Sequence, residues 1–296
     1  MSCGNFLPLA DPQTDHDSGG QPVHSHQRCP MPASRSAIKP SITARFLLRQ
    51  ARYGSLGTVR HGMPHVSLVA MASNQQGQPL MLLSDLARHA QNLGHDSRCS
   101  LLVTQQQPSV WQPHKTASDT PDNTAQTEPL TQSRVTITGN MALVDPDARP
   151  REQERFLARH PDAVHYAHFT DFKLYRLHIE DAHLVAGFGQ IHDLNHSQIL
   201  VGLEKAEAMG AAEQGLLDSI NAEHGDLIAS LAHDILALPK GKWRLVGLDC
   251  EGLDLADGNF GWVRHQFREP IRHPSGVLVR LRHLISNTAE DAGDKP

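Results

Sequence analysis

Four polar residues that could bind an anion stand at the junction of a predicted strand and a predicted helix. The run LMLLS (80–84) predicts a buried strand, and DLARHAQNLGHD (85–96) predicts a helix that follows it at once. The four residues cluster where the helix start has free backbone N–H groups: Ser84, Arg88, His89 and Asn92. A hydroxyl, a guanidinium and free amides together favour a phosphate or a carboxylate. The alternative is a surface helix with ordinary solvated residues.

Histidine is unusually frequent, with 20 in 296 residues. Imidazole binds metals and haem iron and carries protons near neutral pH. The alternative is that most of these scattered histidines are exposed and have no function. The HSH run at 24–26 is a weak metal site by itself, because no other ligand is fixed beside it in the sequence.

A second polar cluster lies in the last third of the chain. It comprises residues within about one helical turn and one just beyond: Asn221, Glu223, His224 and Asp226. These side chains could bind a metal or a partner. They could equally belong to a structural part of a helix in which His224 packs against neighbouring leucines.

Common catalytic signatures are absent from the sequence. It contains no GxGxxG after a strand, no GxxxxGK[ST], no HExxH and no GxSxG. The run VAGFGQ (185–190) lacks a third glycine and a following helix, so it does not support a dinucleotide-binding fold. The sequence therefore leaves the catalytic residues unknown.

Composition excludes several classes of protein. Hydrophobic residues are 39%, and 27 basic against 32 acidic residues give a net charge of −5. A near-neutral balance argues against nucleic-acid binding, and the lack of an apolar run of about 18 residues argues against membrane insertion. Four cysteines without a CxxC pair do not form a disulfide framework. We expect a cytoplasmic protein.

Changes in pattern along the chain predict its organisation. Residues 1–36 are expected to be a disordered tail, and 37–196 a β-rich domain with a disordered insertion at 105–133. Residues 197–212 are expected to be a linker, and 213–290 a C-terminal α/β domain that opens with a long helix over 216–238. The β-rich domain contains predicted strands at 55–60, 65–72, 80–84, 98–104, 134–144 and 171–189, and predicted helices at 41–52, 85–96 and 150–163.

The order of these segments resembles the pyridoxamine-5′-phosphate-oxidase-like FMN-binding split barrel, and within it the HugZ/HutZ-type haem-utilisation proteins. The stretches LSDLARHAQNL (83–93), PLTQSRVTITG (129–139) and LVAGFG (184–189) carry the resemblance together. INAEHGDLI (220–228) and LVGLDCEGLDL (245–255) resemble a small α/β domain that often accompanies this barrel. The resemblance covers roughly residues 41–290.

The resemblance implies an α+β protein: a six-stranded split β-barrel of the FMN-binding type, followed by a small helix–strands–helix domain. It also implies a homodimer with cofactor clefts between the subunits. In flavin-using relatives, the segment similar to 84–92 contacts the FMN phosphate, so its four polar residues become cofactor-binding candidates. In haem-degrading relatives, a histidine beyond the last barrel strand binds the iron, and His192 and His196 are the candidates here.

Three functions remain open. The first is a haem b-binding protein of iron and haem utilisation, with oxidative haem degradation as its enzymatic form. For it, a carboxylate such as Asp193, Asp171 or Glu180 would orient the iron-binding imidazole. The second is an FMN-dependent oxidoreductase, and the third is a non-catalytic binding scaffold. The sequence supplies parts for the first two and proves neither.

Overall fold

A computed structural model describes the chain over residues 39–105, 132–187, 189–259 and 261–293, with side chains to residue 286. The predicted tail and nearly all of the predicted insertion lie outside these residues. No described helix is long and apolar enough to cross a membrane. Of the four cysteines, Cys99 and Cys250 are described, and both are buried free thiols.

The first part of the structure is one curled antiparallel sheet. Its strands are β1 (Tyr53–Arg60), β2 (Met63–Ala70), β3 (Ala72–Ser73), β4 (Pro79–Ser84), β5 (Arg98–Thr104), β6 (Arg134–Leu143), β7 (Phe172–Val185) and β8 (Ile191–Asn195). They run in the order β2-β1-β5-β6-β7-β4-β3, with β8 paired to β7. The described sheet thus has eight strands where six were expected, because the short β3 and β8 also join it.

Strand alternation builds the core of this sheet. The inward residues of neighbouring strands, among them Leu56, Leu101, Ile137 and Leu184, are fully buried. The hairpin between β1 and β2 turns at His61 and Gly62, whose φ angles are 50° and 77°. Two positive φ angles in a two-residue turn match the right-handed twist of the strands. The predicted turn at HGMP is therefore confirmed.

Strand β7 lies in the interior of the sheet and pairs along both of its own edges. It pairs with β6 along its length, and its other edge pairs with β4 first and then with β8. A bulge lies in β7 at Glu180, opposite Thr138 and Gly139 of β6, and a Cβ atom at Gly139 would lie only 1.9 Å from the carbonyl oxygen of His178. Glycine is thus required at this position.

Four helices belong to this part: α1 (Pro40–Gln50), α2 (Arg88–His95), α3 (Arg149–Arg159) and α4 (His196–Ile199). Helix α1 buries Ala44, Leu47 and Leu48 in the sheet core. Helix α2 begins three residues later than expected. The reason is a turn in which the Ala87 N–H donates to the Ser84 carbonyl oxygen at 3.0 Å.

The C-terminal part comprises α5 (Leu203–Glu223), α6 (Gly225–Ser230), β9 (Arg244–Asp249), β10 (Gly252–Asp257), β11 (Gly261–Gln266) and α7 (Val277–Gly293). The helix expected over 216–238 instead begins at Leu203, because residues 203–215 are rich in strong helix formers and bury Ala206 and Met209. It is interrupted at His224, whose φ of −130° is not helical. Much of the segment predicted as a linker is thus helical.

Buried ion pairs join the first part to the C-terminal strands. We call them the buried ionic interface, which comprises Arg49, Arg155, Arg159, Glu213, Asp249, Glu251, Asp254 and Arg264. Arg49 of α1 is 1% exposed and lies 3.0 Å from a carboxylate oxygen of Asp249 and 2.9 Å from one of Glu251. Each of these charges is compensated inside the protein.

Two arginines of this interface act on the pKa of one of its carboxylates, Asp249. Burial by itself would raise the pKa of Asp249, but the guanidinium groups of Arg264 and Arg49 outweigh burial. The pKa of Asp249 therefore lies well below its usual range. The charges of this region are used for structure, since their hydrogen bonds are made within the protein.

Candidate functional site

The corner predicted to bind an anion contains more negative charge than its sequence suggested. The Ser84 hydroxyl donates to Asp171 Oδ2 at 2.6 Å and accepts from the Leu86 N–H at 3.2 Å. Asp85 lies beside it and forms an ion pair with Lys173 at 2.6 Å. Two carboxylates therefore stand at this strand end, and the hydroxyl is already engaged. Both features make this corner less suitable for binding a phosphate.

The other three residues of the corner have different surroundings. Asn92 is 1% exposed and donates from Nδ2 to Thr58 Oγ1 at 3.0 Å, while its Oδ1 has no hydrogen-bond partner among the described residues. Burial, with a smaller contribution from His65, lowers the pKa of the half-buried His89. Arg88 is exposed and makes no hydrogen bond or ion pair to any described residue. Arg88 is thus the cation here that an anion could reach.

A broader surface lies on the outward side of the sheet. A row of directly opposed residues crosses six strands on this side: Leu68, Ser55, Leu102, Thr136, His183 and Asp193. Together with Val66, two residues from Leu68, we call it the outer sheet face. Leu68 is 76% exposed and Val66 68%. Large aliphatic side chains exposed side by side are typical of a surface that binds a partner or a ligand.

The outer sheet face contains a histidine held by a carboxylate. Nδ1 of His183 lies 2.7 Å from Oδ1 of Asp193, across the pair formed by β7 and β8. Nε2 of His183 makes no hydrogen bond to any described residue. In a neutral imidazole, a carboxylate at Nδ1 favours the tautomer with the proton on that nitrogen and the lone pair on Nε2. This is the arrangement that a metal-binding imidazole requires.

The two histidines expected to bind iron are placed differently. His192 lies opposite the fully buried Leu184, so it faces the inner side of the sheet at its edge. His196 is exposed in the first position of α4. Among the described residues, neither histidine is hydrogen-bonded to Asp193 or Asp171, since Asp193 binds His183 and Asp171 binds Ser84.

Two of the remaining polar candidates, Glu180 and Asn221, make hydrogen bonds within the protein. Glu180 accepts from Asn140 Nδ2 at 2.7 Å. The Asn221 side chain pairs with both backbone groups of Leu245, at 2.8 and 2.9 Å, and so fixes α5 against β9. No three metal-ligating side chains come together among the described residues. The HSH run at 24–26 lies outside them.

His183 was missed from the sequence because its partner is ten residues away. A signal existed in the strand alternation of 172–185 and in the glycines Gly187 and Gly189, whose positive φ angles form the turn between β7 and β8. A hairpin centred on that turn brings residues 183 and 193 opposite each other.

The curled antiparallel sheet, its flanking helices and its open outer face define a split β-barrel protein. The CREG β-barrel family matches residues 37–199, which is more than half of the chain. The protein belongs to this family. The resemblance to split-barrel proteins seen in the sequence is thereby confirmed.

Individual relatives support the same class. The chain is 23% identical over 223 residues to the non-canonical heme oxygenase HOZ, chloroplastic, of Arabidopsis thaliana; the match covers 74% of this chain and 63% of that protein. The chain therefore spans less than two thirds of the length of this relative.

Two solved structures are also similar. A protein of unknown function from Agrobacterium tumefaciens has 23% identity and a TM-score of 0.64, with 86% of this chain and 100% of that chain covered. A heme-binding protein from Mycobacterium smegmatis has 22% identity and a TM-score of 0.48, covering 86% and 99%. The likeness to the Agrobacterium protein extends to the C-terminal part and shows a shared fold.

Proposed function

We propose that the protein binds haem b and acts in haem utilisation, and that the outer sheet face is its binding surface. The similarity to a heme oxygenase supports the choice of ligand. The observation that carries the proposal is the imidazole of His183, held by Asp193 on an exposed apolar face.

The chemistry of this face fits haem. A neutral imidazole with a free nitrogen binds haem iron, and aliphatic side chains such as Leu68 and Leu102 match an apolar macrocycle. Arg134 lies on the same face, two residues along β6 from Thr136, and a guanidinium binds carboxylates such as the propionates. When bound, the haem would supply the one-electron and O₂ chemistry of a degrading enzyme.

A homodimer is part of the proposal. The exposed aliphatic residues of β2 would be buried in a subunit interface, and the haem would be enclosed at the same seam. His192 and His196 stay alternative ligands, because closure of a seam could bring a second imidazole to the iron. Substituting each histidine separately distinguishes these ligands.

An FMN-dependent oxidoreductase is the second candidate. The exposed and unpaired Arg88 favours it, because a phosphate binds well to a free guanidinium. Against it stand the carboxylates of Asp85 and Asp171 and the engaged hydroxyl of Ser84. We therefore rank haem first.

Titration of the purified protein with haem and, separately, with FMN tests the proposal. Haem should produce a Soret band that saturates at a fixed ratio of haem to subunits. Incubation of this complex with a reductant and O₂ should then bleach the band if the protein degrades haem. Saturable FMN binding without haem binding would reject the proposal in favour of the flavin candidate.

A further inference from the structure

We propose that a groove in the C-terminal part is a second, separate binding site, for an organic anion with an apolar body. The groove has a volume of about 680 Å³, within the range of small-molecule sites. Its lining includes Glu269, Arg272, His273, Val279, Arg280 and His283. None of these residues belongs to the outer sheet face or to the buried ionic interface.

The groove carries two guanidinium groups that no described residue pairs with. Arg272 and Arg280 make no hydrogen bond or ion pair to any described residue. This distinguishes them from Arg264, in the same part of the chain, which binds two buried carboxylates. Glu269 is the one acid among the described residues that line the groove. Two unpaired guanidinium groups in a concave surface attract a carboxylate or a phosphate.

Rigid elements position these charges. Arg280 and His283 are three residues apart on α7 and so project from one side of that helix. Helix α7 is fixed by Val277 and Leu281, which are 0% and 1% exposed in the C-terminal core. On the opposite wall, the Ile271 N–H donates to the Cys250 carbonyl oxygen at 2.6 Å. The groove is therefore preformed.

Exposed apolar atoms in the groove lining indicate that the ligand has an apolar body beside its anionic group. Pro270 lines the groove and is exposed, and Val279 is 56% exposed beside Arg280. An anion with an aromatic or aliphatic body would bury these atoms, whereas inorganic phosphate would not. The ligand class is thus an organic carboxylate or phosphate.

Calorimetric titration of the full chain with phenyl phosphate, benzoate and inorganic phosphate tests the inference. Phenyl phosphate or benzoate should bind with millimolar or tighter affinity, and phenyl phosphate should bind about tenfold tighter than inorganic phosphate. Binding of one organic probe but not the other identifies the anion as a phosphate or a carboxylate. No binding of either organic probe at millimolar concentration would overturn the inference.

Variants locate the binding. Arg272→Gln and Arg280→Gln should each lower the affinity for the probe by about tenfold or more, because each substitution removes a charge-assisted hydrogen bond. Arg282→Gln, an exposed arginine of α7 that does not line the groove, is the matched control and should bind like the parent protein. Equal affinity in all three variants would reject the site. Haem binding is measured separately on the same variants and should not change.

Discussion

The buried ionic interface and the outer sheet face use charged residues in opposite ways. At the interface, Arg49 is 1% exposed and its guanidinium is bound by two carboxylates. On the outer face, His183 is 52% exposed and has one carboxylate, with its second nitrogen free. A fully compensated charge stabilises a fold, whereas a partly satisfied and accessible group can bind something else.

The largest effect is expected from Arg49→Met, which leaves Asp249 and Glu251 buried with one cation fewer. We expect the free energy of unfolding to fall by about 3–5 kcal/mol, as when one partner of a buried pair is removed. Urea denaturation followed by circular dichroism measures this loss.

Arg98→Met is the matched control, because Arg98 pairs with Asp96 on the surface and its side chain is 80% exposed. Its denaturation midpoint should equal that of the parent protein. An Arg49 variant as stable as this control would show that the interface contributes no stability.

Asp193→Asn tests the outer face next. Loss of the carboxylate removes the group that orients the His183 imidazole. Haem affinity should fall about 10- to 100-fold, the usual cost of removing such a partner from a metal ligand. Since Asp193 is 88% exposed, stability should not change. Asp181→Asn, at an exposed acid of β7, is the control. An unchanged haem affinity would argue against the role of the pair.

His160 shows how burial lowers the pKa of a histidine that has no acidic partner among the described residues. It follows Arg159 in the chain, and burial is the largest cause that lowers its pKa from 6.5 to about 4. The folded protein therefore keeps His160 neutral where the unfolded chain takes up a proton. Stability should be full above pH 6.5 and fall by about 2 kcal/mol on going to pH 5.

Denaturation at pH 7.5 and pH 5 measures this effect, and His160→Gln should reduce the difference between the two pH values. A variant with the same difference as the parent would assign the pH dependence to other groups.

Leu68→Asp is expected to have only a small effect on the stability of the subunit. The side chain is 76% exposed, so the free energy of unfolding should change by about 0.5 kcal/mol or less. The proposed homodimer should nevertheless dissociate, because a carboxylate would be buried in its seam. Light scattering measures the mass. Leu203→Asp, at an exposed leucine of α5, should leave the mass unchanged.

Much of the sheet could be predicted from the sequence, because the alternation of apolar and polar residues along a strand shows which face of the strand is buried. The run at 80–84 and the turn at HGMP are examples. Contacts between distant residues could not be predicted in this way. Ser84 and Asp171 are 87 positions apart, and their contact depends on the pairing of β4 with β7. Likewise, the sequence predicted the apolar face of α1. It could not predict the ion pairs of the buried Arg49, because the partner carboxylates are about 200 positions away in the sequence.

Absorption spectra of the haem complexes of His183→Ala, His192→Ala and His196→Ala test the central claim most directly. The account predicts that His183→Ala shifts the Soret band and weakens haem binding, that added imidazole restores the band, and that the other two variants resemble the parent. An unchanged spectrum in His183→Ala, with loss of the band in His192→Ala or His196→Ala, would contradict it.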